Sequence, residues 1–361
     1  LALTAIGIAT CYAVGTYLTK WNHEATQQGV AALVGCAVFL AAAYLDYHLW
    51  RKLATPLFVA TLAGLTLIAV IAVFYKERHA PGPLDTIFPL VQGAHRWIWV
   101  GVNVQVSEIA RFTLAAWLAA YVTTLGKKIR NFNDGFAPAI GVVAIVCVLV
   151  KLEPSVTMAI VLGVIGVTVV FTAGAKVHHL ALVVLAAAGL VLLILKFDAV
   201  RNNRNKTFQG SSLACESGQE CESVIGLGSG GVFGVGYVKG TDKLGHLADA
   251  YSDYLLSVSG EEWVFVGVLF VTLCFIVFCW MGFRIARTAP DPFGTYLASA
   301  LTMGVGVSAF LHAAVVTWLM PSTGITLPFM SVGRVSLLLN MFAAGVIVSI
   351  GRQRGRPARA R

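Results

Sequence analysis

Charge is what this sequence has least of. Only 12% of its 361 residues are Asp, Glu, Lys or Arg, about half of the roughly 25% that a soluble domain carries. A globule of this composition could not cover itself with polar surface, so an ordinary soluble enzyme is excluded. Disorder is excluded with it. Disordered chains are poor in apolar residues, whereas 58% of this chain is hydrophobic and its mean hydropathy is +0.80. Acidic residues are the scarcer sign, 17 against 26 Lys and Arg, for a net charge of +9. The basic residues sit at the ends of apolar runs and crowd the C-terminal end as Arg352, Arg354, Arg356, Arg359 and Arg361. That is the pattern of a cytoplasmic flank beside anionic lipid, and no nucleic-acid partner is expected. Cysteine is also sparse. Cys11, Cys36, Cys147, Cys274 and Cys279 lie in apolar runs and read as small core residues. Cys215 and Cys221 flank a short polar stretch with no His beside them. They read as a local disulfide, given an extracytoplasmic loop, rather than as a metal site. No basic leader with a small-residue cleavage site opens the chain, so residues 1–18 read as a span and not a signal peptide.

What the sequence has instead is long apolar runs. A helix needs about 20 such residues to cross the hydrocarbon core. Spans are expected at 1–18, 30–49, 55–75, 107–125, 136–150, 156–173, 179–195, 263–283, 295–319 and 327–350. The fold class is therefore all-α: a polytopic membrane protein of about ten transmembrane helices. A polar, Pro- and Gly-bearing loop covers 76–105, and a much longer polar stretch, 196–262, separates the seventh helix from the eighth. The expected organisation is one transmembrane domain, 1–350, with a basic tail at 351–361. Arg51, Lys52, Lys127, Lys128, Arg130, Lys176, Arg284, Arg287 and the tail arginines fall at one side, while Lys20, Lys76, Arg78, Arg96 and Lys151 fall at the other. This bias puts both termini in the cytoplasm and the long loop outside.

Several polar groups lie where a purely structural span would not need them. Glu108 and Arg111 are three apart, hence on one helix face, and both enter an apolar run. They read as an internal ion pair, as a polar groove for an anionic ligand, or as both. The run from Gly226 to Gly236 is rich in glycine but lacks the Lys-Ser/Thr ending of a P-loop and any strand-turn-helix setting. Asp249 and Asp253 bracket Tyr251 just before an apolar helix that Glu261 and Glu262 enter. Asp253 reads either as a helix cap or as a general base at the membrane boundary, with Lys243 ten residues before it to neutralise phosphate. His246, His178 and His179 read as solvated, and His312 as a satisfied polar residue within the ninth span.

Taken in order, these stretches resemble the SEDS family (FtsW/RodA/SpoVE-like) of bacterial membrane proteins. Gly93-Ala94-His95-Arg96-Trp97 followed by Gln105-Val106-Ser107-Glu108 and Arg111 is similar to the family's Gly-Ala-x-Arg-Trp and Gln-Pro-Ser-Glu with a Lys three residues on. Ser223 to Gly236 looks like its Ser-Leu-Ile-Ala-Leu-Gly-Ser-Gly-Gly block. Lys243 and the segment Leu247 to Tyr254 match the spacing of its Lys and catalytic Asp, and Glu261-Glu262-Trp263 with Gly267 resembles Glu-Glu-Leu-Gly-x-x-Gly. Thr323 to Ser336 is similar to Thr-Gly-x-Thr-Leu-Pro-x-x-Ser-x-Gly-Gly-Ser-Ser. The resemblance covers nearly the whole chain. It departs at Ser155, where the family has Asp after Pro, and at Asp249, Tyr251 and Arg334, which stand for Glu, His and Gly. His312 stands for a family Asn.

The resemblance implies a peptidoglycan glycosyltransferase, a lipid II polymerase of the bacterial plasma (inner) membrane acting in cell elongation or division. It implies Asp253 as the catalytic base, and Arg96, Glu108, Arg111, Lys243, Asp249 and Ser331 as substrate-binding residues. The base would take the proton of an acceptor sugar hydroxyl, and undecaprenyl pyrophosphate would leave with inversion. No cofactor or protein metal site is expected; a divalent cation, Mg²⁺ or Mn²⁺, would be held through the substrate's phosphates. The implied partners are lipid II, undecaprenyl pyrophosphate, a class B penicillin-binding protein and other elongation or division machinery. Two other readings stay open: a flippase for the lipid-linked precursor, and a non-catalytic scaffold for the penicillin-binding protein.

Overall fold

A computed structural model describes residues 2–15, 22–74, 87–91, 94–153, 155–197, 223, 225, 228, 255–317, 319–320 and 324–354. Among them run α1 (Ala2–Gly15), α2 (Asn22–Tyr44), α3 (His48–Phe74), α4 (Val106–Leu125), α5 (Ala137–Leu152), α6 (Val156–Thr172), α7 (Val177–Phe197), α8 (Leu255–Arg287), α9 (Pro292–Val316) and α10 (Arg334–Arg352). Seven of the helices are long and apolar enough to cross a membrane, and three shorter stretches, Ala2–Tyr12, Val156–Thr172 and Val177–Gly189, are apolar too. The protein is all-α and polytopic.

The exceptions to helix are small. Within the expected 76–105 loop, β1 (Leu90–Val91) pairs antiparallel with β2 (Ala94–His95), and β3 (Trp97–Trp99) with β4 (Asn103–Gln105). Gly101 turns the second hairpin at φ +78°.

Three element boundaries differ from expectation. Arg51 and Lys52 do not end the second span; they lie in the opening turns of α3, and the turn is confined to 45–47. Both are exposed, which long basic side chains can achieve from a helix end. Helix α8 begins at Leu255, eight residues inside the stretch read as loop, so Glu261 and Glu262 are helical. With 33 residues it is about 50 Å long at about 1.5 Å each, and outreaches the hydrocarbon layer. Helix α10 starts at Arg334 rather than at 327, because Pro328 and a left-handed Phe329 (φ 68°) keep the preceding segment irregular.

The chain forms two compact units. One comprises residues 35–176, 279–305 and 338–361, and the other 1–34, 177–278 and 306–337. In the first, α4 packs on α3 and α6, and α5 on α6 and α3. Leu114, Ala115, Leu118, Ala119 and Val122 of α4 have essentially no exposed surface. Two of these five are alanine: packing rather than water expulsion holds helices together in lipid, and small side chains let backbones approach. Trp50, Phe112 and Phe342 meet edge to face with ring centroids 4.7–5.4 Å apart, joining α3, α4 and α10. In the same unit, the Tyr47 hydroxyl donates to Asp291 Oδ1 (2.5 Å), which also accepts the Gly294 amide (3.1 Å) at the start of α9. Arg352 donates to the Ala43 carbonyl and lies over the Tyr44 ring.

Gly345 shows how tight this packing is. A Cβ there would stand 2.5 Å from the Phe39 carbonyl oxygen and 2.7 Å from Ala42 Cβ on α2. The nearest obstacle is backbone and cannot rotate away. Gly345→Ala is expected to destabilise the protein by about 1–3 kcal/mol, read as a lower unfolding temperature in detergent; an unchanged midpoint would contradict this packing.

Candidate active site

The first cluster lies inside the unit built on α4. Glu108 stands in the first turn of α4, where a carboxylate is favoured by the helix dipole, and is buried at 7% exposure. Arg111, one turn on, is half-buried, and the Glu108 charge acts directly on it. Both line a cavity of about 30 Å³, roughly one water molecule's share of liquid volume. The walls come from Phe112 and Ile165, from Leu301, Gly304 and Val305 of α9, and from Asn340 of α10. A Cβ on Gly304 would press to 3.0 Å from Ile165 Cδ1, so glycine shapes this wall. Asn340 is buried at 4% exposure and was not singled out by the sequence; a lone amide inside an apolar run is the signal that could have found it.

Arg96 lies between β2 and β3 and is half-buried. Its charge acts on Glu153, in the short connection between α5 and α6. Glu153 has 0% exposure, and among the described residues neither carboxylate oxygen has a hydrogen-bond partner. Burial pushes its pKa up from 4.5 to about 8, although Arg96 pulls the other way. The proton is thus bound more tightly in the folded state than in the unfolded one. The stability linked to it is complete below pH 4.5 and is lost as pH rises to about 8. Glu153→Gln, which cannot ionise, is expected to raise stability at neutral pH by roughly 2–3 kcal/mol. The advantage should vanish below pH 4.5 in thermal unfolding run from pH 4 to 9; a gap that ignores pH would show that Glu153 ionises freely. From sequence, Glu153 reads only as a break, with Pro154, between the fifth and sixth spans.

The second cluster lies in the other unit and gathers the ends of three motif segments. Ser331 is buried, and its Oγ accepts the Leu327 amide (2.8 Å), closing the turn around Pro328. Gln28 of α2 grips the same turn, donating through Nε2 to the Ser331 carbonyl (3.1 Å) and accepting the Gly333 amide at Oε1 (3.4 Å). Gly7 of α1 packs against the Met330 backbone so closely that a Cβ would sit 2.6 Å away. His312 has no exposed surface, and its Nδ1–H donates to the Ile325 carbonyl (2.8 Å). In the neutral ring Nε2 is then a bare acceptor, and it is buried without a partner among the described residues. His312 is thus only half satisfied, not satisfied as expected. Ser257 Oγ–H donates to the Ser223 carbonyl (2.7 Å), and Ser223 Oγ–H to the Val316 carbonyl (3.1 Å).

Of the expected site residues, the structure brings Glu108 and Arg111 together, sets Arg96 against Glu153, and places Ser331 within a turn. Asp253, Lys243 and Asp249, with Tyr251, His246, Cys215 and Cys221, lie outside the described residues. Ser155, the departure in the α5–α6 connection, is buried at the start of α6 and makes no side-chain cap. Among the described residues no three His, Cys, Asp or Glu side chains are grouped to hold a metal ion.

Long apolar helices carrying a buried charge pair define a multi-pass membrane protein. The chain belongs to the Cell cycle protein family of FtsW, RodA and SpoVE, which matches residues 2–356. It is 31% identical over 366 residues to a probable peptidoglycan glycosyltransferase FtsW of Geobacter metallireducens, covering 99% of this chain and 94% of that protein. Its fold is similar to a chain of a peptidoglycan synthase complex solved for the coordination of polymerization and crosslinking, with a TM-score of 0.78 at 22% identity over 98% of this chain and 96% of that one. It is also similar to the rod shape determining protein RodA of Thermus thermophilus, with a TM-score of 0.65 at 22% identity over 98% and 95% of the two chains.

Proposed function

We propose that this protein is a peptidoglycan glycosyltransferase that polymerises lipid II into glycan strands at the outer face of the bacterial plasma membrane. All ten apolar helices cross the bilayer as one domain, residues 1–350. Both termini and the basic 351–361 tail face the cytoplasm, and the polar stretch between α7 and α8 lies outside. The observation that carries the reading is the likeness to FtsW along 99% of the chain, supported by the burial of Glu108 and Arg111 around one cavity.

In the proposed reaction Asp253 accepts the proton of the acceptor's GlcNAc 4-hydroxyl as that oxygen bonds to C1 of the donor MurNAc. The C1–oxygen bond to pyrophosphate breaks, and undecaprenyl pyrophosphate leaves with inversion. Pyrophosphate is a stable anion, so the leaving oxygen needs fixed positive charge more than a strong acid. Arg96, Arg111 and Lys243 supply it. Glu108 holds Arg111 in place, and Asp249 and Ser331 belong to the substrate-binding surface. A class B penicillin-binding protein crosslinks the strands that emerge, within the elongation or division machinery. The test is purified protein in liposomes with labelled lipid II. Glycan strands are the expected product. Movement of lipid II between leaflets without strands would make the protein a flippase, and strands only from an added polymerase would make it a scaffold.

A further inference from the structure

Hydroxyls inside apolar helices usually bond back to their own helix, one turn earlier. Several hydroxyls here do so: Thr61 donates to Leu57, Thr113 to Ile109, Thr168 to Val164 and Thr272 to Val268, whereas Ser349 of α10 donates to the Leu45 carbonyl. Ser257 and Ser223 bond to distant segments instead. Ser257 is the third residue of α8, where its own helix offers no carbonyl one turn earlier, and its hydroxyl donates to the carbonyl of Ser223, 34 residues away in the chain. The Ser223 hydroxyl in turn donates to the carbonyl of Val316, 93 residues away. Both serines have no exposed surface, so water does not compete for these bonds. Val316 is the last residue of α9, where a carbonyl has no partner within its helix, and Ser223 supplies one.

We propose that Ser223 and Ser257 are positioning residues for glycosyl transfer, joined in a two-bond brace that fixes the start of α8 to the head of the glycine-rich run and to the end of α9. The proposal rests on the polymerase reading above. Asp253 precedes α8 by two residues in the sequence. The glycine-rich run begins three residues after Ser223, and the 324–333 turn follows α9. The brace therefore joins the three segments on which the reading places the base and the substrate surface. It touches neither substrate nor reacting atoms. Its effect is orientation, to which rates are steeply sensitive because displacing a reacting group by about 1 Å can cost 100-fold.

The test compares Ser257→Ala, Ser223→Ala and the double variant with Ser257→Thr and Ser223→Thr, which keep the donor. Each alanine variant is expected to lower kcat about tenfold with KM within twofold of wild type, and each threonine variant to recover most of the loss. Because the bonds act in series, breaking either uncouples the brace. The double variant should be about as slow as either single one, not 100-fold down. Unchanged kcat, losses that multiply, or losses that threonine does not rescue would overturn the proposal. A second readout is independent of activity. Amide hydrogen exchange should quicken in both alanine variants at 255–258 and at 313–317 and stay unchanged in α4. Should the wild type make no strands, the polymerase reading fails, and the exchange pattern alone still decides whether the brace exists. An alanine variant that does not accumulate is replaced by cysteine at the same position, a weaker donor of similar size, whose kcat should fall between wild type and the about tenfold loss expected of alanine; wild-type kcat and exchange in it would overturn the brace.

Discussion

Asp253→Asn is expected to lower glycan-strand synthesis by at least about 100-fold while lipid II still binds. A positioned general base contributes about 10²–10⁴ in rate, and asparagine matches aspartate in size but cannot accept the proton. The acceptor oxygen would then have to attack as a neutral hydroxyl or pass its proton to water. The loss should fall on kcat, with KM little changed, because the proton moves only as the new bond forms. Single-turnover assays with labelled lipid II, resolved by strand length, measure it. Strand synthesis at the wild-type rate would remove Asp253 from the role of base. A fall in binding alone would make it a ligand for the substrate.

Much of the architecture was legible in the sequence, because in a bilayer the length of an apolar run is itself the length of a helix. Each expected span holds a helix, and the shortage of charge pointed to a membrane before any motif was read. Two of the three boundary errors fall where a helix runs on past its apolar stretch, and the third where Pro328 and Phe329 delay α10. Arg51 and Lys52 look like loop residues to a hydropathy argument, yet helical backbone tolerates charge once the side chains reach water, and both are exposed. The candidate site was legible only in part. Glu108 and Arg111 were recognisable because two opposite charges three residues apart inside an apolar run need a reason. Asn340, Glu153, Gln28 and the serine brace were not. Their partners come from elsewhere in the chain, as far off as Val316 for Ser223, and no periodicity encodes such a meeting. His312 was read as satisfied because the sequence cannot show that one ring nitrogen finds a carbonyl while the other finds no partner among the described residues.

Breaking the Glu108–Arg111 pair should be costly, and unequally so from its two sides. Removing one member of a buried ion pair typically costs about 3–5 kcal/mol, because the other charge is left in a poor solvent. The survivors differ, however. Glu108, stripped of its partner by Arg111→Met, can take up a proton and become neutral. Arg111, stripped of its partner by Glu108→Gln, cannot lose one in a protein and stays charged beside a cavity walled mostly by Phe112, Ile165, Leu301 and Val305. Glu108→Gln should therefore be the more destabilising of the two. The double variant, with both charges gone and Met filling much of the arginine's volume, should recover most of the stability in either single one. Thermal unfolding in detergent gives all three values. Glycan-strand synthesis separates stability from function, because the double variant should be well folded and still slow, having lost one of the three positive charges assigned to the pyrophosphate. Full activity in the double variant would leave the pair a purely structural bridge.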